Sequence, residues 1–226
     1  MYMSEITELT IKEMLDLNET IAASLFEGKT YPWEVLPEIK EYIVRLGESL
    51  PADTYDEVSE HVWVAKNAKV FPSAYLGAPC IIDEEAEVRH CAFIRGAAIV
   101  GKGAVVGNSV ELKNVVLFNK VQVPHYNYVG DSVLGYKAHM GAGSITSNVK
   151  SDKTLVVVKS DGGNIETGFK KFGAMLGDNV EVGCNSVLNP GTVIGRASSV
   201  YPTSSVRGHV PAGSIYKRAG EIVHRT

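Results

Sequence analysis

Read in steps of six from Val64, the chain places an apolar residue at almost every stop. The stops are Val64, Val70, Leu76, Ile82, Val88, Ile94, Val100, Val106, Leu112 and Phe118, and Pro124 closes the run. Four residues after most of them the side chain is small: Ala68, Ala74, Cys80, Ala86, Ala92, Ala98 and Ala104. The beat returns at Leu134 and Met140, then at Leu176, Val182, Leu188, Ile194, Val200 and Val206. A period of six matches neither the helix nor the alternation of a single strand. It matches a coil with three flat sides of about six residues each, and a short fixed period marks a solenoid. Between Pro124 and Leu134 the beat slips, which predicts a turn carrying four extra residues within 125–131. A second interruption, 146–174, predicts a long excursion with its own strand-like run, Leu155 to Val158. Loops of that length in a compact domain are usually functional.

The predicted fold class is mainly β, a left-handed parallel β-helix with a short N-terminal α-helical segment, which departs from the usual right-handed crossover. The expected organisation is a helical cap over 1–60, the β-helix over 61–216 and a tail over 217–226. Within the cap, Thr10 followed by Glu13 has capping-box form, with a second helix expected from Asn18 to Phe26. A third is expected from Pro32 to Gly47. Helices at the end of a solenoid shield its open edge. Some six coils at a strand spacing of about 4.8 Å make a prism roughly 30 Å tall. Apolar faces outside the core are expected to meet around a threefold axis in a homotrimer.

Composition narrows the picture. At 226 residues, 45% hydrophobic and 21% charged, the chain suits a soluble globular protein with one core of good size. No window approaches the roughly 18 unbroken apolar residues of a membrane span. The N-terminus lacks the regions of a secretory signal, so a cytoplasmic protein without membrane contact is expected. Cys80, Cys91 and Cys184 lie at unrelated spacings and read as reduced thiols, Cys80 and Cys184 as small buried filler. The net charge of −4 divides unevenly: residues 1–60 hold fourteen acids against four Lys/Arg, a net of −10, which leaves +6 for 61–226. From Leu112 to Ser151 one acid, Asp131, faces Lys113, Lys120, Lys137 and Lys150. Such a local positive field suits a phosphorylated small molecule or the phosphates of CoA. Nucleic acid is not expected, since the cations are few and no binding motif accompanies them.

Polar and aromatic residues gather at the two irregularities. The first holds Pro124-His125-Tyr126-Asn127-Tyr128-Val129-Gly130-Asp131. A histidine on a rigid, irregular turn can act as a general base, although a lone loop histidine can equally be a bystander. Asn108 to Lys113, then His125 to Asp131, then Gly141-Ala142-Gly143-Ser144-Ile145-Thr146-Ser147-Asn148 form three blocks. In order and spacing they resemble the acetyltransferase domain of bifunctional glucosamine-1-phosphate acetyltransferase/N-acetylglucosamine-1-phosphate uridylyltransferase. The stretch Asp161-Gly162-Gly163 through Gly168-Phe169-Lys170-Lys171-Phe172-Gly173 to Asn179 resembles the archaeal-type sugar-phosphate nucleotidylyltransferases with the same C-terminal β-helix. The resemblance covers about Val88 to Ser214.

It implies CoA-dependent acyl transfer. His125 would take a proton from the sugar amine as the amine attacks the thioester. Arg95 and Lys113 would hold the sugar phosphate, Tyr128 would contact substrate, and Asn148 would lie near the reacting amine and acetyl group. Acetyl-CoA is the implied donor, lying in the groove between prisms against Cys184, Tyr201, Lys217 and Arg218. These residue types suit the chemistry: a base for an ammonium, cations for a phosphate dianion, an amide for the oxyanion. Arg95 and Lys113 as solvated corner cations, and Tyr128 as filler of the turn, are the structural alternatives. Lys137 stands where the bacterial enzymes have a substrate-contacting asparagine and is expected at the substrate; Val149 replaces a tyrosine. The sugar therefore stays open. Uridylyl transfer is not expected, because sixty residues cannot hold a Rossmann-like domain and no Gly-Gly-x-Gly-Thr-Arg loop occurs. A γ-class carbonic anhydrase needs three zinc histidines, two of them close in sequence. His61, His90, His125, His139, His209 and His224 contain no such pair, so no metal is expected. A trimeric scaffold without activity, and acetyl transfer to another amine or hydroxyl, are the remaining readings.

Overall fold

The computed structural model describes residues 6–224, and their core is a parallel β-helix with three faces. On the first face Val70, Val88, Val106, Val123, Met140, Val182, Val200 and Tyr216 follow one another from coil to coil. The second face stacks Leu76, Ile94, Leu112, Val129, Thr146, Leu188 and Val206. The third stacks Val64, Ile82, Val100, Leu117, Leu134, Leu176, Ile194 and Val210. Beyond the first coil all of these are buried. Each inward side chain rests on its equivalents above and below, so one apolar residue per side is enough to specify the interior. The eight rungs of the third face make the prism taller than the expected six coils.

The slip in the beat is a shortening, which corrects the predicted four-residue insertion. Val129 stacks on Leu112 and Leu134 on Leu117, so in each of two successive coils only five residues separate the inward positions. Leu117 and Val123, rather than Phe118 and Pro124, take the inward places. Both shortenings fall at the corner between the second and third faces. Asn114 and Asp131 turn there with φ of 55° and 49°, a conformation that Asn and Asp adopt more readily than most L residues. One coil higher, the same corner opens into the excursion. Its strands Val157–Ser160 and Gly163–Glu166 pair antiparallel. Val156, Val158 and Phe172 within it are fully buried, so the excursion is docked rather than loose.

The N-terminal segment departs from a helical end cap. Ile39–Glu48 is a helix of ten residues and Ile11–Met14 a single turn. Thr7–Leu9, Leu17–Glu19, Ala23–Phe26 and Pro32–Val35 are 3₁₀ turns. The Thr10 hydroxyl donates back to the Thr7 carbonyl instead of capping, while Glu34 accepts from the Thr30 and Tyr31 amides. The segment runs lengthwise as a strap over the third face. Glu8 meets His209, the Asp16 amide donates to buried Asp178, and Asn119 donates to Glu19. Phe26 meets Phe118 edge-on, and Asn114 donates to the Leu36 carbonyl. Helix Ile39–Glu48 then packs on the strands from Cys80–Ile82 to Glu111–Leu117. Its apolar residues thus bury against the prism, and that long-range packing, rather than helix propensity, sets their conformation. Antiparallel strands close the two ends: Tyr55–Ser59 on Val62–Ala65, and Glu221–His224 on Ser214–Arg218. As far as His224, the expected tail is this last hairpin; its final two residues lie outside the described range.

Candidate functional site

The second face has two edges, and the candidate residues divide between them. At the edge shared with the first face, successive coils turn through one residue of positive φ: Cys91, Ser109, Tyr126, Gly143, Asn185 and Thr203. The residues just before them, His90, Asn108, His125, Ala142, Cys184 and Pro202, form one column. Backbone bonds join its rungs: the Tyr126 amide donates to Asn108, Gly143 to His125, and Thr203 to Cys184. The His125 amide donates to Asn127 Oδ1 at 3.1 Å. Asn127 is buried and donates in turn to the Gly141 and Ser144 carbonyls. A buried asparagine therefore fixes the turn, and the His125 ring is exposed upon it. Tyr201 lies further along, its amide donating to Tyr216, with Lys217 and Arg218 beyond. Lys217 and Arg218 pair with Glu221 at 3.6 and 2.7 Å. Cys184 is exposed, which corrects its reading as buried filler; Cys80 is buried, and burial pushes its thiol up to about 12.

Arg95, Lys113, Tyr128 and Asn148 meet at the opposite edge, around a residue to which the sequence assigned no role. Asp131 is 4% exposed and accepts from Asn148 Nδ2 at 2.6 Å and Asn114 Nδ2 at 2.9 Å. Lys113 Nζ lies 3.7 Å from Oδ2, the oxygen that accepts from Asn148, and Arg95 Nη1 donates to Glu111 Oε1 at 2.8 Å. The Tyr128 ring lies back over Gly130, where a Cβ would sit 2.5 Å from the phenol oxygen. Burial, then the charges of Asp131 and Glu111, raise the Tyr128 phenol above its ordinary value, so at pH 7 it is a neutral donor. Glu111, Asn114 and Asp131 were missed as members of this cluster. The signal available in the sequence was the pair of one-residue shortenings, each turned by Asn or Asp.

Lys137, expected at the substrate, does not join this cluster. It turns the corner between the third and first faces with φ of 56°, its Nζ 5.0 Å from the Tyr136 ring. Lying three residues past the inward Leu134, it falls at the far edge of the prism. Within one chain His125 and the Lys113 cluster are also at opposite edges of the second face, His125 ending one strand before the turn at Tyr126 and Gly130 lying in the strand that starts at Tyr128. Among the described residues no group of three His, Cys, Asp or Glu could hold a metal. No described helix is long and apolar enough to cross a membrane.

The family model of the GMPPB C-terminal domain matches residues 76–198, more than half of the chain. The bifunctional sugar-1-phosphate nucleotidylyltransferase/acetyltransferase of Sulfurisphaera tokodaii is 34% identical over 125 residues, 55% of this chain and 31% of that protein. A bifunctional protein GlmU of Methanococcus maripaludis is 28% identical over 195 residues, 85% of this chain and 47% of that protein. The chain thus spans between about a third and a half of the length of these relatives. A solved hexapeptide transferase family protein from Anaplasma phagocytophilum aligns with a TM-score of 0.40 at 16% identity, covering 72% of this chain and 78% of that one. The family match takes in both edges of the second face, from Arg95 through His125 and Asp131 to Cys184. With the six-residue beat, the stacked coils and this match in agreement, the chain belongs to the GMPPB C-terminal domain family.

Proposed function

We propose that this chain transfers an acetyl group from acetyl-CoA to the amine of an amino-sugar phosphate, glucosamine-1-phosphate being the first acceptor to test, with His125 as general base. The observation that carries the reading is the gathering of Arg95, Lys113, Tyr128 and Asn148 at one edge of the face whose other edge holds His125. A phosphate dianion needs cations, and Arg95 is exposed enough to exchange Glu111 for one, since such surface pairs contribute about 0–1 kcal/mol. In the chemical step the sugar nitrogen attacks the thioester carbonyl and His125 takes the proton it sheds. The C–N bond forms, the C–S bond breaks, and CoA leaves as a thiolate that recovers the proton from the imidazolium. Asn148, its amide held by Asp131, orients the acceptor.

General-base catalysis needs hydrogen-bond reach, which one prism does not provide across its own face. A neighbouring copy closes the gap by setting the His125 edge of one prism beside the Arg95 and Lys113 edge of the next, in a homotrimer. The strap occupies the third face, which leaves the other two for this contact. There Tyr75 and Phe93 meet in the open, their rings tilted by 55° with centroids 5.5 Å apart. Acetyl-CoA then runs from His125 along Cys184, Tyr201, Lys217 and Arg218.

A thiol-release assay with acetyl-CoA and a panel of amino-sugar 1-phosphates, glucosamine and galactosamine included, tests the reading. CoA release should depend on one sugar and fall at least about a hundredfold in His125→Ala, with the trimer intact. Normal activity in His125→Ala overturns the base assignment. The internal pairing of Arg95 with Glu111 and Lys113 with Asp131 favours a second reading, a scaffold without activity. Silence across the panel from a well-formed trimer would support that one.

A further inference from the structure

Between the excursion hairpin and the last coils lies a cleft of about 850 Å³. It sits on the same edge of the second face as the Asp131 cluster. Arg95, Lys113, Gly130, Ser147, Asn189 and Arg207 occupy equivalent places on successive coils, each just past the inward residue of its strand. Arg207 stands four rungs from Lys113, about 19 Å at the strand spacing.

Charge sets the cleft apart. Lower on the edge, Arg95 and Lys113 have Glu111 and Asp131; in the cleft, Lys150 has Asp152 at 3.4 Å. Lys159 and Arg207 also line it, and among the described residues neither is in an ion pair. Glu166, on the hairpin, is the remaining acid in the wall. The two cations are brought together by the backbone. A Cβ on Gly208 would lie 2.9 Å from the Lys159 carbonyl oxygen, so the hairpin is seated against the residue next to Arg207. Val156 and Val158 are fully buried beneath it, which makes the hairpin a fixed wall. Asn164, the cross-strand neighbour of Lys159, adds an exposed amide. Two like charges lining one cleft from adjoining backbone segments repel each other, and a bound anion relieves that repulsion.

The cleft is large for a single phosphate and lies within the range of nucleotide-sized ligands. We infer that it is a subsite for the pyrophosphate of a nucleotide-bearing ligand, with Lys159 and Arg207 on the phosphate oxygens. Two ligands share that chemistry: CoA, through its nucleotide end, and a nucleoside diphosphate sugar. The subsite does not depend on the acetyl-transfer reading, because it is read by binding without turnover.

Calorimetric titration with inorganic pyrophosphate tests it, on the wild-type chain, on Lys159→Gln/Arg207→Gln and on Lys69→Gln. Pyrophosphate should bind the wild type, weaken with added salt, bind at least tenfold more weakly to the double variant and be unchanged in Lys69→Gln, an exposed cation of the first coil outside both sites. Arg207→Lys, which keeps the charge, should retain binding. Both side chains are exposed, so the melting temperatures should not move, and lost binding is then not lost fold. Displacement by CoA assigns the subsite to the donor, and displacement by a nucleoside diphosphate sugar assigns it to an acceptor. No binding, binding that survives the double variant, or bound pyrophosphate that neither nucleotide displaces overturns the proposal. Intact pyrophosphate binding beside a silent thiol-release assay would reject acetyl transfer to the amino-sugar 1-phosphates and leave the subsite standing.

Discussion

The two edges of the second face are made from one repeat, yet they treat polar residues in opposite ways. At the His125 edge the coils keep their full length. The αL corner there accepts Cys91, Ser109, Tyr126, Asn185 and Thr203, and Tyr126 is 65% exposed. At the Asp131 edge two coils are each a residue short. The chain is pulled in until corner side chains of neighbouring coils bond one another, Asn114 to Asp131 at 2.9 Å. A buried carboxylate needs partners: Asn114 and Asn148 donate to it, and the Lys113 ammonium lies 3.7 Å away. A corner of full length displays a side chain; a shortened one constrains it. One edge can therefore change its chemistry at little cost to the fold, whereas the other is fold and site together.

Substitution should expose this difference most strongly at Asp131. Asp131→Ala strips the acceptor from two amides and the partner from Lys113, so chemical denaturation should show a loss of about 3 kcal/mol. Asp131→Asn, which keeps an acceptor oxygen, should lose less. An alanine variant within about 0.5 kcal/mol of wild type would erase the contrast. Next in size is Gly130→Ala, whose methyl group would meet the Tyr128 hydroxyl and push the ring off the strand. About 1–2 kcal/mol should be lost on thermal unfolding, and an unchanged melting temperature would show that the ring is not held.

Tyr128 gives the same edge a pH signature. Its phenol ionises later in the folded chain than in the unfolded one, because burial and the nearby carboxylates favour the neutral form. The unfolded state therefore loses its proton first, and stability should fall as pH rises past about 10. Tyr128→Phe should delete one phenol step above that pH from the absorbance titration and reduce the fall; an unchanged titration would place the step elsewhere. The smallest effect belongs to the displayed edge. Tyr126→Ser should alter stability by less than about 0.5 kcal/mol in the isolated chain. A larger loss that grows with protein concentration would show a neighbouring copy covering that edge.

Much of the prism was legible because its inward residues are stacked in register: Ile82, Val88, Ile94 and Val100 were read correctly, as were Leu176 to Val206. The reading failed at Phe118, and the reason is physical. Leu117 and Phe118 are both apolar, the first because it fills the prism and the second because the strap lays Phe26 against it. Two separate demands for apolar surface concealed the shortened coil. The grouping of Arg95, Lys113, Tyr128 and Asn148 was legible through the resemblance of their blocks to a known family. Asp131 at their centre was not, because its role lies in three partners drawn from different coils.

The sequence by itself determined the coil, the period of its core, the excursion and the kinds of side chain available for chemistry. These follow from local alternation and from a repeat that copies one coil onto the next. Only the tertiary structure decided which edge each polar residue occupies. In a three-sided coil a position a few residues on belongs to another edge, which is how Lys137 left the cluster its neighbours joined. The strap too was settled there, because contacts such as Asp16 with Asp178 and Glu8 with His209 join residues far apart in the chain, which local spacing does not encode.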